Sequence, residues 1–302
     1  MFRGLSVASL QTPKARRALS GLRILRDIPY LRTGMAEHTL DLYMPVDAGA
    51  QTPVMFYIHG GGFRILSKDT HWLMGVAFAQ QGFITVNVNY RLAPRHPYPA
   101  AIDDVFAAYL WTLRHIAQYG GDPDRIVVAG ESAGANLACG LTLAACTPLD
   151  HAPAQAVFET AKVPNALLAN CGMLQVSDPQ RFQRRKALPV WIYDRIEEVS
   201  TEYLASTRDT LLADPLLVLE HMSLERSLPA TFASVGTKDP LLDDTRRLEA
   251  ALTARNADIV AKYYEGEVHA FHAFVWRRNA VQCWKDQFHF LAERGLLTAS
   301  ST

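Results

Sequence analysis

No uninterrupted apolar run in this chain approaches the roughly 20 residues that a bilayer span requires, so no stable membrane insertion is expected. A surplus of one charge sign is missing as well. Lys plus Arg and Asp plus Glu number 30 each over 302 residues, which removes the overall positive field that nucleic acid or an anionic surface would call for. Cysteine is scarce: Cys139, Cys146, Cys171 and Cys283 show neither zinc-ligand spacing nor the density of a disulfide scaffold. Cys139 and Cys146 fall two helical turns apart, about 10 Å by helix rise, too far to bridge. Four reduced thiols imply a reducing, cytoplasmic compartment. Acidic residues are absent from positions 1 to 26, where Arg3, Lys14, Arg16, Arg17, Arg23 and Arg26 stand. Such a start has the character of a transit peptide, while "GLSVASL" is too short an apolar core for a secretory signal. The expectation is a basic leader, 1 to 26, packed over the body as part of a cap.

What is present belongs to a globular, enzyme-sized protein: 49% hydrophobic and 20% charged residues, enough for one large α/β domain with an insertion or two ordinary domains. No internal repeat or low-complexity tract interrupts it. Strand and helix patterns alternate. "RILRDIPYL", "HTLDLYMP", "TPVMFYIH" (52 to 59) and "FITVNVNY" (83 to 90) have strand character. "DRIVVAG" (124 to 130), "NALLANCGML", "ATFASVG" and "IVAKYYEG" continue the series. Between them, "DTHWLMGVAFAQQG", "PAAIDDVFAAYLWTLRHIAQYGG", "ESAGANLACGLTLAAC", 241 to 255 and about 279 to 294 have helical character. Alternation of this kind predicts parallel strands joined by crossover helices. Residues 177 to 223 break the rhythm, separating two strand candidates by more than a crossover helix needs. Their Arg, Glu and aromatic residues at helical spacing predict a helical cap over the strand ends. The body is then 27 to 176 and 224 to 302.

Two glycine clusters carry the chemistry. "IHGGGF" (58 to 63) accepts the entropic cost of three successive glycines, as a loop must whose bare N–H groups approach something negative. No Lys-Ser/Thr follows it and no G-x-G-x-x-G opens a helix, so a phosphate cradle is a poor reading. The second cluster, "AGESAG" (129 to 134), places Gly130, Ser132 and Gly134 in G-x-S-x-G between strand and helix, the context of a serine raised on a sharp turn.

A serine hydroxyl needs a base, and the base a carboxylate to hold its tautomer. Among ten histidines, His269 follows the last strand candidate and is the preferred base, with His272 three residues on as its rival. His59 is expected to brace the glycine loop; the others suit packed or solvated positions. Asp239 follows "TFASVG" and is preferred as the acid over Asp214, at the trailing edge of the insertion. Asp243 and Asp244 are expected to cap or solvate the helix start. Attack by Ser132 on a carbonyl leaves an oxyanion, for which the Ala133 N–H and those of Gly61 and Gly62 are the expected donors. Phe63, Trp191, Tyr193 and Phe271, near the motifs or in the insertion, are candidate substrate-lining side chains.

"HGGGF" at 59, "NYRLAPRHPYPAAIDD" at 89, "GESAG" at 130, "DPL" at 239 and "HAF" at 269 together resemble the hormone-sensitive lipase family of bacterial carboxylesterases, from about residue 40 to the end. The resemblance implies an α/β-hydrolase fold, about eight mostly parallel strands flanked by helices with a helical cap, and no cofactor or metal. It implies hydrolysis of short to medium acyl esters, with Ser132, Asp239 and His269 as nucleophile, acid and base and Gly61, Gly62 and Ala133 as oxyanion hole. Glu131 and Arg95 depart from the family's usual Asp and Glu. The leader before the glycine loop is shorter than in many members, which throws pocket shape onto 177 to 223. The "PYLRTGMAEHTLDLYMP" entry also resembles arylformamidase relatives, leaving N-formyl amide hydrolysis as the alternative and a ligand-binding member without chemistry as a third reading. The expected partner is a small-molecule ester, with a homodimer an admissible assembly.

Overall fold

A computed structural model describes residues 17 to 297 apart from 186, 187, 206 and 208. Eight strands form one sheet: β1 Leu22–Pro29, β2 Thr39–Pro45, β3 Thr52–Ile58, β4 Ile84–Val88, β5 Gly121–Glu131, β6 Ala166–Asn170, β7 Ala230–Gly236 and β8 Ile259–Tyr264, in the order β1-β2-β4-β3-β5-β6-β7-β8. β2 runs antiparallel to both β1 and β4, and the pairs from β4 through β8 are parallel. β4 and β6 are buried at every position, and β3 at its last five, as strands covered by helices on both faces must be. β8 closes the edge with Lys262 and Tyr263 exposed, a polar rim that discourages strand addition.

Helices cross between strands: α1 Trp72–Ala79, α2 Ala100–His115, α3 Ala133–Cys146 and α4 Ala152–Glu159 precede β6. Then come α5 Gln180–Arg185, α6 Val190–Leu204, α7 Pro215–His221, α8 Leu242–Ala254 and α9 Arg278–Glu293. α2 stops short of the 121 that its pattern suggests. A 3₁₀ turn, Ile116–Tyr119, tightens its end, Gly120 turns left-handed at φ 90°, and β5 begins at once.

The basic leader divides. Residues 1 to 16 lie outside the described residues, and positions 22 to 26, expected over the body, belong to β1 because the 22 to 29 segment pairs along β2 at the sheet edge. The 177 to 223 segment carries α5, α6 and α7 and, among the described residues, forms no separate core. Phe182, Ile196, Val199 and Tyr203 join the same apolar cluster as Ile58, Val88 and Leu137 under the sheet.

Parallel strands send their carboxyl ends to one side, which is where ligands bind in open α/β sheets. The glycine loop leaves β3 there, Ser132 leaves β5, Cys171 leaves β6, and the loops with Asp239 and His269 leave β7 and β8.

Candidate active site

Ser132 stands at φ 53°, ψ −118°, between the end of β5 and the first turn of α3. The turn closes only because its neighbours lack side chains: a Cβ on Gly134 would lie 2.1 Å from the Ile58 carbonyl oxygen. That clearance also sets the glycine loop, which begins at His59, directly against the turn. Gly61 has φ 116°, and a Cβ there would meet the Ile65 carbonyl at 2.1 Å. Among the described residues the N–H groups of Gly61, Gly62 and Ala133 have no protein acceptor, so they remain free to donate to a bound group.

His269 Nε2 lies 3.0 Å from Ser132 Oγ, and its Nδ1 lies 2.9 and 3.1 Å from the two carboxylate oxygens of Asp239. Asp239 is buried and also accepts the Leu241 N–H at 2.8 Å. Burial works to lower the His269 pKa, but the charge and hydrogen bond of Asp239 outweigh it, and the net shift is upward. A hydroxyl bonded to an imidazole whose far nitrogen is held by a buried carboxylate is the arrangement that makes serine a nucleophile.

The rivals are engaged elsewhere. His272 is 1% exposed and puts Nε2 on Glu131 Oε2 at 2.5 Å. Ala270, at φ 53°, turns the chain between the two histidines so that their rings diverge. Asp214 accepts the Val176 and Ser177 N–H groups. Asp244, expected to cap or solvate a helix start, is fully buried instead; it accepts the Leu174 N–H and receives the Arg181 guanidinium, which ties the insertion to α8.

The expected aromatic lining is not brought together. Phe63 is fully buried and stacks on Tyr203 at 3.7 Å between centroids. Phe271 is fully buried with Tyr264, Ala280 and Cys283, so neither ring faces an open cleft. Trp191 is 74% exposed at the start of α6, and Tyr193 is half-buried near Glu197. Val199 packs against the glycine loop, with Cγ2 2.9 Å from where a Gly62 Cβ would stand. Arg64, just after the glycines, pairs with Glu198 and Glu202 of α6.

Sequence reasoning missed a buried cluster behind the serine. Glu131 receives His71 Nε2 at 2.7 Å and His272 on its other oxygen. His71 stacks on His59, whose ring also lies on Tyr90 at 4.2 Å. One carboxylate thus joins the elbow to the glycine-loop side and to the His269 loop. The signal was the Glu at 131 with His71, expected in a packed or solvated position, and His272, the rival base, but nothing in their spacing pairs them. Burial would raise the Glu131 pKa, yet the two imidazoles outweigh it and hold the carboxyl well below its usual range. Burial lowers His71, Glu131 raises it more, and the net is upward. His59, buried beside His71, is pushed down to about 3 and stays neutral.

Because His71 titrates higher in the fold than in the unfolded chain, its stabilising charge is fully present below the ordinary histidine value and is lost as pH rises through the folded pKa. Glu131→Gln is therefore expected to lower unfolding free energy by about 3 kcal/mol near pH 6, and by less near pH 9. Urea unfolding at the two pH values measures the difference; an equal loss at both would mean that the His71–Glu131 charge pair contributes nothing.

An alpha/beta hydrolase fold family model matches residues 55 to 273. The carboxylesterase NlhH of Mycobacterium tuberculosis is 32% identical over 244 residues, covering 80% of this chain and 73% of that protein. An acetyl esterase of Salmonella paratyphi A is 29% identical over 243 residues, covering 79% and 71%. Among solved structures, the esterase LipW of Mycobacterium marinum superposes with a TM-score of 0.76 at 24% identity, covering 97% of this chain and 86% of that one.

Proposed function

The chain belongs to the α/β-hydrolase fold family, in the hormone-sensitive-lipase-like group of carboxylesterases, and is a carboxylic ester hydrolase; from that premise we propose that it cleaves short to medium acyl esters through an acyl-enzyme on Ser132. The observation that carries this reading is the unbroken line of hydrogen bonds from Asp239 through His269 to Ser132, with the glycine loop alongside.

In the proposed cycle His269 Nε2 takes the Ser132 proton as Oγ attacks the ester carbonyl. The N–H groups of Gly61, Gly62 and Ala133 receive the oxyanion, and removing one such donor commonly costs about 10²–10³ in turnover. Protonated His269 then gives its proton to the leaving alcohol, and Asp239 stabilises the imidazolium between the two transfers. Water repeats the sequence on the acyl-enzyme.

Residues 177 to 223 serve as the cap in this reading. The Arg64 pairs with Glu198 and Glu202 and the approach of Val199 to Gly62 draw α6 down beside the glycine loop, which favours small acyl groups. The test is a series of p-nitrophenyl esters with N-formylkynurenine alongside. Acetate and butyrate esters are expected to exceed laurate by at least about tenfold in kcat/KM, and the formamide to be cleaved far more slowly than either. Faster cleavage of the formamide would move the assignment to amide hydrolysis, which the esterase relatives do not favour.

A further inference from the structure

Cys171 is the first residue beyond β6 and lies under the same strand ends as the proposed catalytic groups. Its position is over-determined: its N–H donates to the Ser234 carbonyl at 2.7 Å, and its φ of 43° is a conformation that a side-chain-bearing residue adopts only when its surroundings hold it. The side chain is buried against the centre. Its sulfur, an Asp239 carboxylate oxygen and a His269 ring nitrogen all lie within 4.8 Å of one another. Neither the proton transfers nor the oxyanion hole uses this thiol.

Thiolate, imidazole and carboxylate are the three donor types of protein zinc sites. A tetrahedral ion with bonds of about 2.0–2.3 Å separates its donors by roughly 3.4–3.8 Å, so the sulfur needs to draw in by no more than roughly 1.4 Å while His269 Nδ1 and the Asp239 oxygen, now 2.9 Å apart, open slightly. His269 is about one-third exposed, which leaves an approach from solvent and a fourth position for water. We propose that Cys171, Asp239 and His269 form an inhibitory site for a borderline-soft divalent cation, zinc above all.

The ion would take the Nδ1 lone pair of His269 on the side now facing Asp239, moving the ring proton from Nδ1 to Nε2. An Nε2–H can no longer accept the Ser132 proton, so the base is lost while the imidazole stays neutral. Cys171 enters as thiolate and releases its proton to water, as metal binding by a thiol requires. Magnesium, which prefers oxygen donors and keeps its water, does not suit the set.

The inhibition arm rests on the esterase reading, so the experiment includes a readout that does not. Purified protein is titrated with zinc chloride during p-nitrophenyl acetate hydrolysis, each variant being compared with its own metal-free rate, and in parallel with cobalt chloride while its absorption spectrum is recorded. Zinc is expected to inhibit reversibly, with recovery on EDTA, and Cys171→Ala to raise the inhibition constant by about 10–100-fold. Cys171→Ser tests the same point with a near-isosteric side chain. Cobalt is expected to produce a sulfur-to-metal charge-transfer band that both variants lose although Cys139, Cys146 and Cys283 remain. Equal zinc sensitivity in wild type and both variants, or a cobalt band that survives them, overturns the proposal. A cobalt band in a protein that cleaves no ester would overturn the functional reading and leave the metal site standing.

Discussion

Ser132→Ala is expected to lower kcat on p-nitrophenyl acetate by about 10⁶-fold, the scale seen when a serine nucleophile is removed from an activated triad. Its fold should persist, because the hydroxyl faces His269 Nε2 and the turn is held by other groups: the Ser132 N–H on the Asn170 carbonyl at 2.9 Å, and the clearance at Gly134. The comparison is therefore clean. Far-ultraviolet circular dichroism and a melting curve matching wild type would place the loss in the chemistry. A variant that keeps even one-hundredth of wild-type turnover would mean that acyl transfer does not pass through this oxygen.

Asp239→Asn separates the carboxylate's two contributions. In wild type, burial lowers the His269 pKa and Asp239 more than compensates, so the ring stays protonated above the ordinary histidine value. A general base works only when neutral. Wild-type kcat/KM should thus climb as pH rises through a midpoint above about 6.5. With asparagine the larger raising charge is gone and burial is opposed only by the more weakly acting Glu131, so the midpoint should move to lower pH. The plateau should nonetheless fall by about 10⁴-fold, because the amide no longer holds the Nδ1–H tautomer or stabilises the imidazolium. Rate profiles from about pH 5 to 9 give both numbers. A midpoint unmoved by the substitution would remove Asp239 from the proton pathway.

Much of this architecture can be read from single segments. The interior strands are short, largely apolar runs buried on both faces, and their order of appearance between helices implies a parallel sheet before any coordinate is seen. The elbow is equally local: small residues on either side of Ser132 are a backbone requirement, which the Gly134 approach to Ile58 makes concrete. α4 had no such signal, since "APAQAVFE" is too short and too weakly patterned to stand out, and its helix is held by packing against α3.

Side-chain partnership was harder. His269 and His272 are three residues apart in one loop, and no periodicity says which faces the serine; the left-handed turn at Ala270 sends one to Asp239 and the other to Glu131. Proximity to a motif also misleads for aromatics. Phe63 follows the glycines and Phe271 follows His269 by two, yet both are packed inward, while Val199, with no motif near it, approaches Gly62.

The sequence by itself determined the α/β alternation, the glycines that let backbone pass close to backbone, and the serine raised between strand and helix, because each depends on a stretch of a dozen residues or fewer. Only the tertiary structure decided that Glu131 joins His71 to His272 and that the Cys171 thiol lies against Asp239 and His269. Those neighbours lie 60 to 141 positions apart in the chain, brought together because parallel strands deliver their carboxyl ends to one side of the sheet.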